Sequence, residues 1–106
     1  MAQHSTKTLQ AGRPRGSTRF DPISSRAFGL AVRQLRLKKE ISQEMLASIA
    51  SVDRSFMGRI ERGEATPTLT LMLKIARALE VSGTMLMGQT EYYLGEQEVS
   101  EGLEAD

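Results

Sequence analysis

Gln43–Gly63, QEMLASIASVDRSFMGRIERG, decides how the rest of this chain is read. Two short amphipathic segments meet near Ser51-Val52, and the turn between them is too tight for anything but a steep helix crossing. The second segment opens with Asp53-Arg54-Ser55 and brings Arg59 to the same side about one turn later. A rigid helix pair that pushes one helix end outward, lined with arginine and hydroxyl donors, has the dimensions of a probe for the DNA major groove.

The flanking sequence supplies the remaining helices. Asp21-Pro22 places a cap before a helix-starting proline, with Ser24 or Ser25 as alternative caps. Phe28, Val32 and Leu35, with Ala31 beside them, form a helical stripe that runs to about Lys39. Ser42 caps a second helix through Ala50, and Asp53 caps a third that ends at Gly63, a residue suited to a left-handed helix end. Thr66-Pro67-Thr68 opens a fourth, running to about Glu80. Its Leu69, Met72, Leu73, Ala76 and Leu79 share one face, while Leu71, Ile75 and Ala78 lie off it. Apolar on several sides, this helix is expected to be the central strut. Ser82 caps a short fifth helix containing Met85, Leu86 and Met87. Ile41/Leu46, Val52/Met57 and Val81/Leu86 each flank a cap at the spacing of a hydrophobic staple, which supports the boundaries. The expectation is an all-α bundle of five helices over residues 21–88, with no strand signal.

Composition narrows the chemistry. The chain has 106 residues, no cysteine, no tryptophan and a single histidine, His4. No disulfide, thiolate zinc site or Cys/His nucleophile can be built from it, and no metal or cofactor is expected. No paired carboxylates or glycine loop suggest an enzyme. No apolar run approaches the roughly 18 residues of a membrane helix, and the start lacks a signal-peptide core. A soluble cytoplasmic protein with no membrane partner is expected. The net charge of +1 conceals a strong asymmetry. All fourteen basic residues precede Gly88, against seven of the thirteen acidic ones. Residues 1–20 form a basic arm with Lys7, Arg13, Arg15 and Arg19 and no acid. Residues 89–106 form an acidic tail with Glu91, Glu96, Glu98, Glu101, Glu104 and Asp106 and no base. A polyanion-binding body with an acidic appendage fits this pattern.

Residues 28–87 resemble the Cro/C1-type helix-turn-helix family, the lambda-repressor-like DNA-binding fold. The matching features are Leu35-Arg36, Ser42-Gln43-Glu44-Met45-Leu46-Ala47, Ile60-Glu61-Arg62-Gly63, Thr66-Pro67-Thr68 and Leu73-Lys74-Ile75-Ala76-Arg77-Ala78-Leu79. Ser51 departs from the pattern, which has glycine in the turn. If that residue needs positive φ, serine strains it by about 1 kcal/mol. The resemblance implies a structural ion pair between Arg36 and Glu61; Arg54 and Ser55 at the start of the third helix, with Arg59 on the same side about one turn on, are the candidates for base-edge contact. It implies phosphate contact by Ser42 and Gln43 at a helix N-terminus, where free N–H groups favour anions. Arg62, Thr66 and Thr68, in the loop entering the fourth helix, are further phosphate contacts, which set register without reading sequence. Gly58 would allow a close approach of the DNA backbone, and Phe56 packs over the turn. The resemblance also implies a two-fold homodimer, for which Met85, Leu86, Met87, Tyr92 and Tyr93 are the candidate interface.

Ala11–Ser17, AGRPRGS, resembles the core of an AT-hook, whose arginines, here Arg13 and Arg15, enter A·T-rich minor grooves. From Arg13 to Pro22 the chain spans at most about 30 Å, close to one repeat of DNA. The expected function is a sequence-specific, DNA-binding transcriptional repressor acting as a dimer on a palindromic operator, at bacterial or phage DNA. Two alternatives stand beside it. One is an antitoxin or activator using the acidic tail, Glu40 or Glu44 for a protein partner; the other is an interaction adaptor that does not read DNA. Removing residues 1–19 is expected to weaken duplex binding and to reduce preference for A·T-rich flanks. Binding titrations on duplexes differing only in their flanks measure both effects, and unchanged affinity and preference would exclude the minor-groove arm.

Overall fold

The computed structural model describes residues 21–105, whose helices are α1 (Pro22–Lys39), α2 (Gln43–Ala50), α3 (Arg54–Glu61), α4 (Leu69–Ala78) and α5 (Gly83–Ala105). No strand occurs among the described residues. Each of the five starts has its physical cause in sequence. The Asp21 carboxylate accepts from the N–H groups of Ile23 and Ser24 at the start of α1. Ser42, Asp53, Thr68 and Ser82 each accept from the N–H three residues on, which satisfies a donor the helix itself leaves free.

The helix ends repeat one device. Glu40, Ser51 and Glu80 all adopt the left-handed conformation, with φ of 63°, 59° and 62°. After Ser51, the Val52 N–H donates to Ala47 O at 2.8 Å while the Ser51 N–H donates to Ser48 O at 3.1 Å. Glu40-Ile41 and Glu80-Val81 make the same pair of bonds, so each helix closes in a Schellman motif. The apolar residue that follows (Ile41, Val52 or Val81) packs against the core, and the residue after it caps the next helix. One three-residue joint thus ends a helix, staples the corner and begins the next element. The Ser51 departure therefore falls on a residue that does need positive φ.

The core joins Phe28, Ala31, Val32 and Leu35 of α1 to Leu46, Ala47 and Ala50 of α2, and to Met57 and Ile60 of α3. Ala65 of the loop after α3, Ile75, Ala76 and Ala78 of α4, Leu79 just beyond it and Leu86 of α5 complete it. Helix α1, packed against both α3 and α5, is the central strut, and not α4 as its all-round apolarity suggested. Leu69 and Leu73 of α4 are 66% and 50% exposed, which leaves one side of that helix bare. The fifth helix is also longer than its capping pattern indicated. It runs for 23 residues through the 88/89 position where the tail was expected to begin, and it buries Thr90 and packs Tyr93 on the core. Lys39 at the end of α1 pairs with Glu80, while Ser24 and Ser25 at its start share a small cavity with Met87 and Thr90, so α5 runs antiparallel to α1.

Gly29 decides how closely α1 and α3 can cross. A β-carbon there would stand 2.4 Å from the Ile60 carbonyl oxygen and 2.7 Å from that of Glu61, both rigid backbone atoms. Gly63, at φ +76°, would place its own β-carbon 2.8 Å from Arg26 Cα. Gly29→Ala is therefore expected to destabilise the fold by about 3 kcal/mol, because the two helices must move apart. Ser51→Gly is expected to stabilise it by about 1 kcal/mol through relief of the left-handed strain. Urea denaturation of both variants checks the pair, and effects of the same sign would contradict this account of the two backbones.

Candidate nucleic-acid interface

Helix α3 is mounted on α1 and α2 through one buried carboxylate. Arg36 Nε donates to Glu61 Oε2 at 2.7 Å, and Arg36 Nη2 donates to Glu61 Oε1 at 3.0 Å. The third arginine nitrogen, Nη1, donates to the Ile41 carbonyl at 3.0 Å, which ties the pair to the joint between α1 and α2. Gln43 Nε2 adds a donor to Glu61 Oε1, also at 3.0 Å. The Glu61 side chain is only 2% exposed, yet it accepts three hydrogen bonds, so its charge is fully compensated. Further along, the Ser25 and Thr66 hydroxyls lie 2.6 Å apart and fix the loop after α3 against the start of α1.

With its C-terminal end so held, α3 presents its other end to solvent. Arg54, Ser55 and Arg59 are all exposed, and the Arg59 guanidinium lies 5.7 Å from the centre of the Phe56 ring. Phe56 is half-buried against the core and so stiffens the base of Arg59. An open, mainly polar depression beside this tip is lined by Gln43, Asp53, Arg54, Ser55, Gly58 and Arg62. Four of the residues singled out by sequence, Gln43, Arg54, Ser55 and Arg62, thus converge. Gly58 is buried there too. A β-carbon would stand 3.0 Å from Arg62 Nη1 and 3.3 Å from Gln43 Oε1, so this glycine makes room for neighbouring side chains.

Several hydroxyl and amide groups have internal duties as well. Ser42 and Thr68 accept as caps, Thr66 meets Ser25, and one Gln43 N–H is committed to Glu61. The Ser42 and Thr68 hydroxyls accept in their caps and keep their own O–H to donate, so these protons, the backbone amides and the second Gln43 N–H are what can be offered to a phosphate. Sequence reading missed Glu64, whose carboxylate accepts from Arg62 Nε and Nη2, each at 3.1 Å. The Arg62 hydrogen bond holds the Glu64 carboxyl below its ordinary pKa, with the charges of Arg62 and Arg59 acting in the same direction. Spacing alone carried the signal: an acid two residues after an arginine.

The candidate dimer residues divide. Met85, Met87 and Tyr92 are 46%, 38% and 57% exposed, whereas Leu86 is fully buried in its own core and unavailable to a second subunit. Leu86 was misplaced because the staple with Val81 turns it inward. Tyr93 is half-buried, with its ring 5.2 Å from that of Tyr92 in an edge-on arrangement. Arg13 and Arg15 lie outside the described residues.

Comparison with known proteins agrees with this geometry. A helix-turn-helix family model matches residues 32–86, just over half the chain. Control protein C.BamHI of Bacillus amyloliquefaciens is 41% identical over 64 residues, which cover 59% of this chain and 79% of that protein. The crystal structure of the restriction-modification controller protein C.AhdI from Aeromonas hydrophila is 40% identical, with a TM-score of 0.57. Its match covers 58% of this chain and 94% of that one. The controller protein C.Esp1396I, solved as a tetramer with its natural 35 base-pair operator, is 25% identical with a TM-score of 0.63. There the match covers 67% of this chain and 93% of that one.

The buried pair makes a stability test. Glu61→Ala strands the Arg36 charge and the Gln43 amide, and is expected to cost about 3–5 kcal/mol. Replacing both members, Arg36→Met with Glu61→Met, is expected to cost less than that single change, since no charge is left buried. Chemical denaturation of the three proteins distinguishes this from a surface-like pair, for which neither variant would differ by more than about 1 kcal/mol.

Proposed function

The chain belongs to the helix-turn-helix family of Cro/C1 type, and on that footing we propose that it is a sequence-specific DNA-binding regulator of transcription. It acts as a homodimeric repressor on a palindromic operator, with α3 in the major groove. The observation that carries this is the exposed face formed by Arg54 and Ser55 at the free end of α3 and Arg59 in its last turn, on a helix anchored by Glu61. Each arginine is suited to donate two hydrogen bonds to guanine O6 and N7, and Ser55 to bond either purine. Gln43, Arg62 and the amides at the starts of α2 and α4 take the flanking phosphates and set the register.

Two copies give the symmetry. Met85, Met87 and Tyr92 of α5 are the apolar residues offered to a second subunit, and Leu69 and Leu73 of α4 are exposed in the same way. A two-fold dimer would place the two α3 tips about 34 Å apart, one turn of DNA. The operator-bound tetramer of C.Esp1396I supports operator binding by more than one subunit here. The controller-protein relatives favour this reading over a DNA-blind adaptor, and no catalytic step is proposed. Arg13 and Arg15, in the preceding arm, are assigned to the adjacent minor groove. None of the helices among the described residues is long and apolar enough to cross a membrane.

The test begins with sites selected from a randomised duplex pool. Arg54→Ala and Arg59→Ala are each expected to reduce discrimination against a mismatched base by about 1–3 kcal/mol, at separate positions of the half-site. Fold stability should stay unchanged, because both side chains are exposed. Competition binding reads the effect. Retained discrimination in both variants would place the base contacts elsewhere, and failure of wild-type protein to enrich any site would favour the adaptor reading.

A further inference from the structure

Arg62 faces the polar depression beside α3, yet two prongs of its guanidinium are already occupied. Glu64 accepts from Nε and Nη2 through its two oxygens, at 3.1 Å each. This is the two-pronged geometry with which arginine grips a phosphate. Nη1 is turned toward Gly58, where a β-carbon would lie within 3.0 Å of it. The arginine is therefore folded back: Gly58 leaves it space and Glu64 provides the acceptors. Both side chains remain more than half exposed, at 59% and 53%, so an incoming anion can reach and exchange the pair.

We infer that Glu64 is a specificity-determining residue: its carboxylate stands in for a DNA phosphate on Arg62 and is displaced only when a phosphate arrives in the register fixed by the α3 base contacts. The inference rests on the DNA-binding reading of the same face. In a loose complex the phosphates lie at variable distances from Arg62. A carboxylate two residues away in the same chain then competes at high effective concentration. In the register-fixed complex a phosphate is held against Arg62 by every neighbouring contact, and the exchange proceeds. Glu64 thus subtracts a cationic contact from sequence-independent binding, which is where nonspecific affinity resides. Its negative charge beside Arg59 acts in the same direction, opposing DNA that is not aligned for base contact.

The test uses the full chain with Glu64→Gln, an exposed substitution, and two duplexes: a site selected from a randomised pool and a scrambled one. Anisotropy titrations over a range of salt are expected to show about 5- to 10-fold tighter binding to the scrambled duplex and a salt slope steeper by about one. Binding to the selected site is expected to tighten less than about threefold, so that the ratio of the two affinities falls. In an Arg62→Ala background the same Glu64→Gln change is expected to leave that ratio unaltered, because the carboxylate then has nothing to withhold. Equal tightening on both duplexes, no change on the scrambled one, or the same effect with and without Arg62 would each overturn the inference. Should wild-type protein prefer neither duplex, the DNA-reading assignment falls along with it. Should Arg54→Ala abolish a real preference while Glu64→Gln changes nothing, only the role of Glu64 falls.

Discussion

The buried contact between Arg36 and Glu61 is the constraint on which the other features depend. A helix of eight residues is too short to be stable or directional by itself. Here α3 gains its direction because its last residue is held by three hydrogen bonds, from Arg36 of α1 and Gln43 of α2. The backbone beside it is pressed against Gly29. A carboxylate is suited to this corner, because one group accepts simultaneously from two helices. The low exposure of the pair makes each bond costly to break. The exposed face of α3, with Arg54 and Ser55 at its free end and Arg59 in its last turn, inherits that rigidity. Base-edge recognition needs such a mount, since bidentate contacts tolerate little error in position.

The second organising feature is the recurring three-residue joint. Left-handed residue, apolar residue and cap follow one another at Glu40-Ile41-Ser42, Ser51-Val52-Asp53 and Glu80-Val81-Ser82. The apolar residue serves the helix behind it and the helix ahead of it, which is why such short loops can make sharp corners without leaving backbone groups unsatisfied. None of the three left-handed positions is glycine. The strain at each is the cost of polar side chains at the corners, and Ser51 bears it inside the turn that sets the α2–α3 crossing.

Much of this was legible in the chain itself. Caps and staples use local chemistry, so Ser42, Asp53, Ser82 and the Thr66-Pro67-Thr68 run marked the helix starts, and Leu46 and Met57 marked buried positions. Arg36 and Glu61 came from family pattern, since nothing in a separation of twenty-five residues predicts a contact. What stayed hidden depended on the third dimension. Gly29 reads as a weak spot within a helix until the Ile60 and Glu61 carbonyls are seen against it. The apolar surround of α4 suggested a central strut, but apolarity does not tell a buried face from one left bare, as Leu69 and Leu73 are. The length of α5 was lost because acidic residues without a periodic apolar stripe look the same in a helix as in a loose tail. Glu64 was passed over because its neighbour Arg62 had already been given to DNA.

One measurement addresses the mounting of α3 against DNA directly. The chain has no cysteine, so Ser55→Cys provides a single site for a tethered DNA-cleaving chelate on the exposed helix tip. On a selected palindromic site the account predicts two cleavage centres in the major groove, one per half-site and about 34 Å apart. Cleavage spread evenly along the duplex, or absent while the protein remains bound, would mean that the end of α3 does not face the bases.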